Sequence, residues 1–207
     1  MKWRLTSQGE IHYFQFTWHR DSAIYSLKKG QDAIIQNLDP VFLKQIHSNV
    51  IVDIDSKQER TGDGLISAGR HNIGVKIADC LPVYLFTPEK ICIIHCGWRG
   101  VIEGIAKQAR EMLKEFQYVL GASIGPCCYE VQHDVADRFI QSHPNALQQR
   151  ESRYYLDLKT AVIDDLGRRA LLGSLNYCTR CHPEYFYSHR RGDSGRNYAI
   201  ATRRLTD

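Results

Sequence analysis

A continuous apolar run that leads into a glycine-rich turn is the segment that most constrains the fold. Residues 90–95 (KICIIH) have the length and the isoleucine content of a buried β-strand. The turn Gly97-Trp98-Arg99-Gly100 follows, and between residues 101 and 116 the apolar side chains recur at the spacing of a helix. A buried strand that continues directly into a helix predicts a protein of mixed α and β structure.

Strands and helices alternate along the rest of the sequence as well, with no evident linker, repeat or low-complexity tract. A chain of 207 residues is long enough to bury a sizeable core, so we expect one domain spanning residues 1–207. Helices are predicted in residues 131–139 and 156–172. Further strands are predicted in residues 42–55 (two, broken near 47–49), 72–86 (two, interrupted by Ala78-Asp79-Cys80), 119–124, 185–189 and 198–202.

The composition argues against several classes of protein. A hydrophobic fraction of 43% and a charged fraction of 24% are ordinary for a globular chain. No apolar run approaches the roughly 20 residues of a membrane span, and the first ten residues lack the apolar stretch of a secretory signal. We therefore expect a cytoplasmic protein without a membrane contact. The net charge of +4 comes mostly from basic residues scattered among acids, which does not favour nucleic-acid binding.

Three of the predicted strands end at a side chain that can bind a metal ion. His47 follows Lys44-Gln45-Ile46, Cys80 follows the run that ends at Asp79, and His95 ends the run at residues 90–95. Two imidazoles and one thiolate suit Zn²⁺, and three protein ligands leave the fourth position for water, as in a catalytic site. Bound zinc would lower the pKa of that water to about 7. Taken singly, each residue is equally compatible with packing, because buried Cys and His usually serve the core.

The chain has seven cysteines, and an odd number favours reduced thiols over a disulfide framework. Strand alternation in residues 90–96 puts His95 on one face, with Cys92 and Cys96 on the other. We therefore predict that Cys92 and Cys96 are packing residues and not metal ligands.

Cys178 and Cys181 have the CxxC spacing of a zinc site, but the sequence has no second CxxC. A closed four-ligand site would need distant partners. The spacing by itself therefore favours a packing or loop role for this pair.

An anion site is one interpretation of the Gly97-Trp98-Arg99-Gly100 turn. Its backbone N–H groups and the start of the following helix could bind a phosphate, with the Arg99 guanidinium as a further donor. The turn is equally compatible with a plain strand-to-helix connection that packs Trp98 in the core. Arg190 and Arg191, far along the chain, are a second candidate for the same anion.

Two acids and one amide complete the set of candidate site residues. Asp63 and Asp79 are placed for proton transfer or for orienting a ligand, although both are also common turn residues. Gln45, two residues before His47, is predicted to contact substrate.

Seven segments together resemble the YfiH-type family, which has long been labelled laccase-like or polyphenol oxidase and is associated with zinc-dependent purine nucleoside chemistry. The combination of ADCLP with HxGWRG is the most specific part. The segments are LKQIHSNVIVDI (residues 43–54), GDGLIS (62–67), VKIADCLPVYLF (75–86), IIHCGWRG (93–100), GASIGPCCYEV (121–131), CT (178–179) and FYSHRRGDSGR (186–196).

The resemblance implies that His47, Cys80 and His95 are zinc ligands. It also implies an α+β sandwich with mixed sheets inside and helices outside, similar to certain bacterial deamidating toxins. The implied activity is phosphorolysis of adenosine, inosine, guanosine and methylthioadenosine, with deamination of adenosine, so purine nucleosides and phosphate are the expected small-molecule partners. The N-terminal STR triplet and GGVS-like loop of the family are poorly matched by residues 16–20.

Three other functions remain open at this point. In the first, Cys80 is a nucleophile activated by His95 in a metal-independent hydrolase or amidase, related to editing of peptidoglycan precursors. The second, a copper oxidase, is disfavoured because Met1 and Met112 are the only methionines and no His-x-His pair is present. The third is a metal-binding module without catalysis.

Overall fold

The strands of the computed structural model form three sheets within residues 2–9, 11–56 and 59–204, which are the residues that the structure describes. The helices are α1 (Gln31–Leu38), α2 (Trp98–Ile102), α3 (Ile105–Leu113), α4 (His133–Ser142) and α5 (Leu158–Leu166). The strands are β1 (Arg4–Gln8), β2 (Ile11–Trp18), β3 (Asp21–Ser26), β4 (Ile51–Asp53), β5 (Gly64–Ser67), β6 (Ile73–Ile77), β7 (Leu81–Phe86), β8 (Ile91–Cys96), β9 (Gln117–Leu120), β10 (Glu130–Val131), β11 (Leu147–Arg150), β12 (Arg153–Leu156), β13 (Leu171–Ser174) and β14 (Asn197–Arg203).

The two larger sheets differ in how their strands pair. The five-stranded sheet, in the order β1-β2-β3-β14-β6, is antiparallel throughout. The six-stranded sheet, in the order β13-β9-β7-β8-β5-β4, is mixed, because its two edge strands β13 and β4 pair in parallel with their neighbours. Strands β10, β12 and β11 form a small third sheet. The expectation of mixed sheets is confirmed.

Strand β8 shows how the layers are assembled. Ile91 and Ile93 face the core between the two large sheets, whereas Cys92 and Cys96 face the opposite side, where helices α3, α4 and α5 pack. Helix α1 covers the outer face of the five-stranded sheet through Ile34. The result is an α/β/β/α sandwich, which confirms the predicted fold class and the predicted faces of β8.

Two predicted helices are shorter than the apolar periodicity indicates. The segment at residues 101–116 is divided into α2 and α3, because Gly104 adopts φ +84° between them. Gly167, at φ +87°, ends α5, and the chain continues as strand β13. Glycine tolerates this left-handed backbone, which interrupts a helix without disturbing the apolar pattern.

Two predicted strands are also absent from the described residues. Residues 185–189 form turns instead of a strand, because Asp79 accepts hydrogen bonds from the Ser188 hydroxyl and the Arg190 N–H. The first strand expected in residues 42–55 is reduced to an isolated bridge between Lys44 and Thr61. No described helix is both long and apolar enough to cross a membrane.

Candidate functional site

Antiparallel pairing of β7 with β8 brings two of the predicted ligands together. Cys80 immediately precedes β7, and His95 lies opposite Pro82 near the end of β8. His47 reaches the same place from the loop before β4, and its ring centroid lies 5.0 Å from that of His95. The potential ligand atoms of His47, Cys80 and His95 all lie within 4.8 Å of one another. The structure therefore brings the three predicted ligands into one cluster.

Asp63, which is fully buried, connects the two histidines of the cluster. One carboxylate oxygen accepts hydrogen bonds from His95 Nδ1 at 2.8 Å and from the His47 N–H at 3.0 Å. The other oxygen accepts from the Ser48 N–H and the Ser48 hydroxyl at 2.7 and 2.9 Å. Because the carboxylate can only accept, His95 Nδ1 carries a proton, which leaves Nε2 as the ring nitrogen that could bind a metal ion after losing its own proton.

Asp79 bonds to the C-terminal part of the chain and not to a ligand. Its carboxylate accepts from the Thr179 hydroxyl at 2.6 Å, the Ser188 hydroxyl at 3.0 Å and the Arg190 N–H at 2.7 Å. The Asp79 backbone adopts φ +84°, a conformation that non-glycine residues rarely adopt. The strained turn and its hydrogen bonds fix the start of β7, where Cys80 lies.

Cys80, His95 and Asp63 shift one another's pKa values. Burial raises the pKa of Cys80, but the positive charge of His95 and hydrogen bonds from His47 and His95 outweigh it and lower the pKa to about 6. Burial lowers the pKa of His95, yet the Cys80 thiolate and Asp63 raise it to about 9. Burial likewise raises the pKa of Asp63, and hydrogen bonds from His95 and Ser48 bring it well below its usual range. The cluster thus stabilises a thiolate beside a cation.

The backbone of Gly97 closes one side of the cluster. A Cβ atom at this position would lie 3.2 Å from Cys80 Sγ and 3.3 Å from His47 Cδ2. Both distances are shorter than ordinary van der Waals contact, so a side chain here would push against two of the three ligands. This close approach explains a glycine at position 97 better than a need for turn flexibility does.

The cluster opens into a cavity of about 630 Å³. This volume is within the range of small-molecule sites, about 300–1,000 Å³. Trp98 and Tyr129 contribute aromatic surface to its wall. Its basic lining residues are Lys44, Lys76, Arg99, Arg190 and Arg196.

The predicted substrate-binding residues occupy different positions relative to this cavity. Arg99 is exposed, and its guanidinium lies 4.9 Å from the centre of the Trp98 ring. Arg190 lies 5.4 Å from the Tyr129 ring, and its Nη1 donates to the Glu130 carbonyl at 2.8 Å. Both side chains line the cavity.

Arg191 departs from the prediction, because its guanidinium is engaged outside the cavity lining. It donates to both oxygens of Asp193 and to the carbonyls of Thr179, Arg180 and Phe186. Its role is to brace the turn at residues 179–193.

Gln45 lines the cavity, but both ends of its amide are bonded to the backbone of Lys76, at 3.0 and 2.8 Å. A substrate that contacts the Gln45 amide would therefore have to share its nitrogen or oxygen with the backbone of Lys76.

Several lining residues have no role predicted from the sequence, among them Arg196, Tyr129 and Lys76. Arg196 ends the FYSHRRGDSGR segment, Tyr129 lies within GASIGPCCYEV, and Lys76 lies within VKIADCLPVYLF. The segments were recognised, but nothing in their local spacing indicates which side chain faces the cavity.

A second cluster of potential ligands was also not expected. The Sγ atoms of Cys127, Cys128, Cys178 and Cys181 all lie within 4.8 Å of one another. The distant partners that a closed site would need are supplied by the fold, so Cys178 and Cys181 are not isolated loop thiols.

Comparison with known proteins gives a consistent family. A family model described as multi-copper polyphenol oxidoreductase laccase matches residues 7–204. The chain is 32% identical over 166 residues to a purine nucleoside phosphorylase from Clostridium acetobutylicum, a match that covers 72% of this chain and 70% of that protein. It is 32% identical over 172 residues to human purine nucleoside phosphorylase LACC1, which covers 72% of this chain and only 39% of the human protein.

Solved structures show the same fold. YlmD from Geobacillus stearothermophilus superposes with a TM-score of 0.83 at 20% identity, covering 97% of this chain and 99% of that chain. The Bacillus licheniformis protein YfiH superposes with a TM-score of 0.79 at 22% identity, with the same coverage of both chains. The match of nearly the whole sequence, together with this fold, shows that the chain belongs to the laccase-like YfiH family.

Proposed function

We propose that the chain is a zinc-dependent purine nucleoside phosphorylase in which His47, Cys80 and His95 bind the metal ion. The observation that carries the proposal is the convergence of these three side chains at a cavity lined by arginines and aromatic rings. The names of the relatives from Clostridium acetobutylicum and from human support the same activity. Because the match covers only 39% of the human protein, the proposal that this chain has the same activity rests on the geometry of its own cavity.

The donor set fits zinc in both number and chemistry. Two imidazoles and one thiolate are ligands that Zn²⁺ prefers, and a three-ligand site leaves a position open toward substrate. The hydrogen bond from His95 Nδ1 to Asp63 is the support that a metal-binding histidine usually has. Copper is disfavoured, because Met112, the methionine within the described residues, is 45% exposed on α3 and does not line the cavity. Bound zinc would supply Lewis acidity and charge stabilisation.

Phosphorolysis requires the protein to hold an anion beside a nucleoside. A phosphate oxygen forms a bond to C1′ of the ribose while the C1′–N9 bond breaks, and the electron pair of that bond leaves with the purine. Arg99, Arg190 and Arg196 are suited to pair with the phosphate, because guanidinium groups bind such oxygens through paired hydrogen bonds. Trp98 and Tyr129 offer flat apolar surface for the purine.

Asp63 and Asp79 act on this reaction by positioning other residues. Asp63 orients His95 and the backbone of the His47 loop, and Asp79 fixes the turn before Cys80. We propose deamination of adenosine as a second reaction of the site: water instead of phosphate would be the nucleophile, the bond would form at C6 of the purine instead of C1′, and the exocyclic amine would leave as ammonia to give inosine.

A second candidate function is a metal-independent hydrolase with Cys80 as nucleophile. The lowered pKa of the Cys80 thiol beside His95 favours it, because a thiolate is the reactive form. The same thiolate is also the form that binds a metal, so the two functions differ in their need for a cation and not in their residues.

Incubation of the purified chain with inosine tests the proposal directly. We expect hypoxanthine and ribose 1-phosphate in the presence of phosphate, and little free base in its absence. Adenosine is assayed in parallel for ammonia release, and Cys80→Ala is the control for a contaminating enzyme. Release of hypoxanthine that is independent of phosphate, or equal release by the Cys80→Ala variant, would refute phosphorolysis at this site.

A further inference from the structure

Four cysteines outside the cavity lining converge at one point near the surface. The Sγ atom of Cys181 lies 3.7 Å from that of Cys127 and 3.3 Å from that of Cys128. Cys178 completes the group, and all four Sγ atoms lie within 4.8 Å of one another. The cysteines come from two segments, residues 127–128 and 178–181, so only the folded chain assembles them.

The separation of the sulfur atoms fits a single tetrahedral ion. Four Zn–S bonds of about 2.3 Å place neighbouring sulfurs about 3.8 Å apart. An iron–sulfur cluster would hold the thiolates further apart, because its own iron and sulfide ions lie between them. A disulfide would use two of the four thiols and leave the others without a role. We propose that Cys127, Cys128, Cys178 and Cys181 bind one structural zinc ion, separate from the site at His47.

The backbone around these thiols is already arranged for metal binding. The Cys181 N–H donates to the Cys178 carbonyl at 3.2 Å, which closes a tight turn between these two ligands. The Gly125 N–H donates to Cys178 Sγ at 3.3 Å. A donor at the sulfur stabilises the thiolate, which is the form that binds a metal ion.

Positive charge lies next to the cluster. Four thiolates around Zn²⁺ leave a net charge of about −2. Arg180 lies between Cys178 and Cys181 in the sequence, and the Arg191 guanidinium donates to the carbonyls of Thr179 and Arg180 at 3.0 and 2.9 Å. Arg191 is already paired with Asp193, so Arg180 is the residue whose charge could offset part of the negative charge of the bound ion.

The proposed ion would fasten a segment that leads into the cavity wall to a second segment that bonds to Asp79. Tyr129, which lines the cavity, directly follows Cys128. Thr179, between two of the ligands, donates its hydroxyl to Asp79 at 2.6 Å, and Asp79 precedes Cys80. The four-cysteine site therefore supports the position of Cys80 without contacting substrate.

Zinc content of the full chain, measured by elemental analysis, separates the two sites. We expect two equivalents in the wild type and one in the Cys178→Ser/Cys181→Ser double variant. The Cys80→Ala variant should also retain one, and the matched control Cys92→Ala should retain two. With Co²⁺ in place of zinc, the Cys80→Ala variant should keep the strong thiolate-to-cobalt absorption of four sulfurs, whereas the double variant should keep only the weak absorption of one.

Three results would overturn the four-cysteine site. The first is an unchanged zinc content in a folded double variant. The other two use the wild type, and so cover the case in which the double variant does not fold. They are a Co²⁺ spectrum without four-thiolate absorption, and a count of five instead of seven titratable thiols after unfolding without reductant, which indicates a disulfide. Failure of phosphorolysis would leave the site standing, because none of these measurements uses activity.

Discussion

At the scale of single residues, one buried carboxylate connects the parts of the cluster of His47, Cys80 and His95. Asp63 contacts the His95 ring and the backbone N–H groups of His47 and Ser48. These donors would lose their charged acceptor together if the carboxylate were neutralised, and Asp63 itself is fully buried. We therefore expect Asp63 to contribute both to the stability of the fold and to the geometry of the cluster.

Asp63→Asn should lower the free energy of unfolding by about 3 kcal/mol, because it removes a buried charge from several donors. It should also reduce zinc binding at the His47 site, since His95 loses the acceptor that orients its ring. Urea unfolding and zinc content measure the two effects. The control is Asp53→Asn, where the partly exposed ion pair with Lys90 should contribute at most about 1 kcal/mol. Equal losses in the two variants would contradict the assigned role.

The two cysteines on the helix side of β8 allow a contrasting prediction. Cys92 and Cys96 are both fully buried in the core beneath the helices. Cys92→Ala and Cys96→Ala should each cost on the order of 1 kcal/mol, the cost of a small cavity. Their metal content should equal that of the wild type. A folded Cys92→Ala variant with less zinc would overturn the assignment of strand faces.

Site residues are predictable from the sequence when the signal for them lies in neighbouring residues, and not when it depends on a segment far away in the chain. Cys80 and His95 can be singled out because each adjoins a buried strand, which leaves a local signal, whereas His47 follows a segment that forms only an isolated bridge. The position of Arg196 in the cavity lining and the convergence of the four cysteines are set by segments that are remote in sequence. The residue spacing within each segment does not reveal such contacts. Arg191 was assigned to the anion site because it adjoins Arg190, yet the chain turns its guanidinium toward Asp193.

At the scale of elements, the apolar runs of β6, β7 and β8 were recognised because a buried strand needs an uninterrupted apolar pattern. The helices were less well predicted. Apolar periodicity continues through Gly104 even though the backbone there is left-handed, so the break between α2 and α3 is invisible to a pattern based on hydrophobicity. The role of residues 185–189 was missed for a related reason. Their turns are held by Asp79, which lies far away in sequence.

Helix α2 carries the side chain that we expect to bind phosphate. Arg99→Ala should weaken phosphate-dependent cleavage of inosine by roughly ten- to a hundredfold, the contribution of a hydrogen bond between charged groups. Zinc content should not change, and deamination of adenosine should suffer less, because water replaces phosphate in that reaction.

Arg138, exposed on α4 and outside the cavity lining, provides the matched control for Arg99. Arg138→Ala should have no effect on either reaction. If Arg99→Ala reduced both reactions equally, or lost zinc, then Arg99 would be a structural residue and the phosphate would bind elsewhere.

At the scale of the whole molecule, the buried guanidinium of Arg203 links the two large sheets to each other. Arg203 on β14 forms two hydrogen bonds to Asp21 on β3, at 2.7 and 2.8 Å. The same guanidinium reaches the carbonyl of Thr87, at the end of β7 in the other sheet, at 2.6 Å. The contact closes the sandwich at the C-terminal end of β14.

Arg203→Ala should destabilise the chain by about 3–5 kcal/mol, because it leaves Asp21 buried without its partner. Activity per folded molecule should stay close to that of the wild type, since neither residue lines the cavity. Thermal and urea unfolding measure the loss, with the exposed neighbour Arg204→Ala as control. A loss below about 1 kcal/mol would show that Arg203 does not hold the sheets together.

The proposed function is cleavage of purine nucleosides in this cavity, with a metal ion held by His47, Cys80 and His95. Turnover of inosine with phosphate, by a chain stripped of metal and then supplied with zinc, tests it most directly. We expect loss of activity on stripping, recovery with zinc, and no recovery in His47→Ala or Cys80→Ala. Full turnover by the metal-free chain, abolished by alkylation of Cys80, would contradict it and favour a thiol nucleophile.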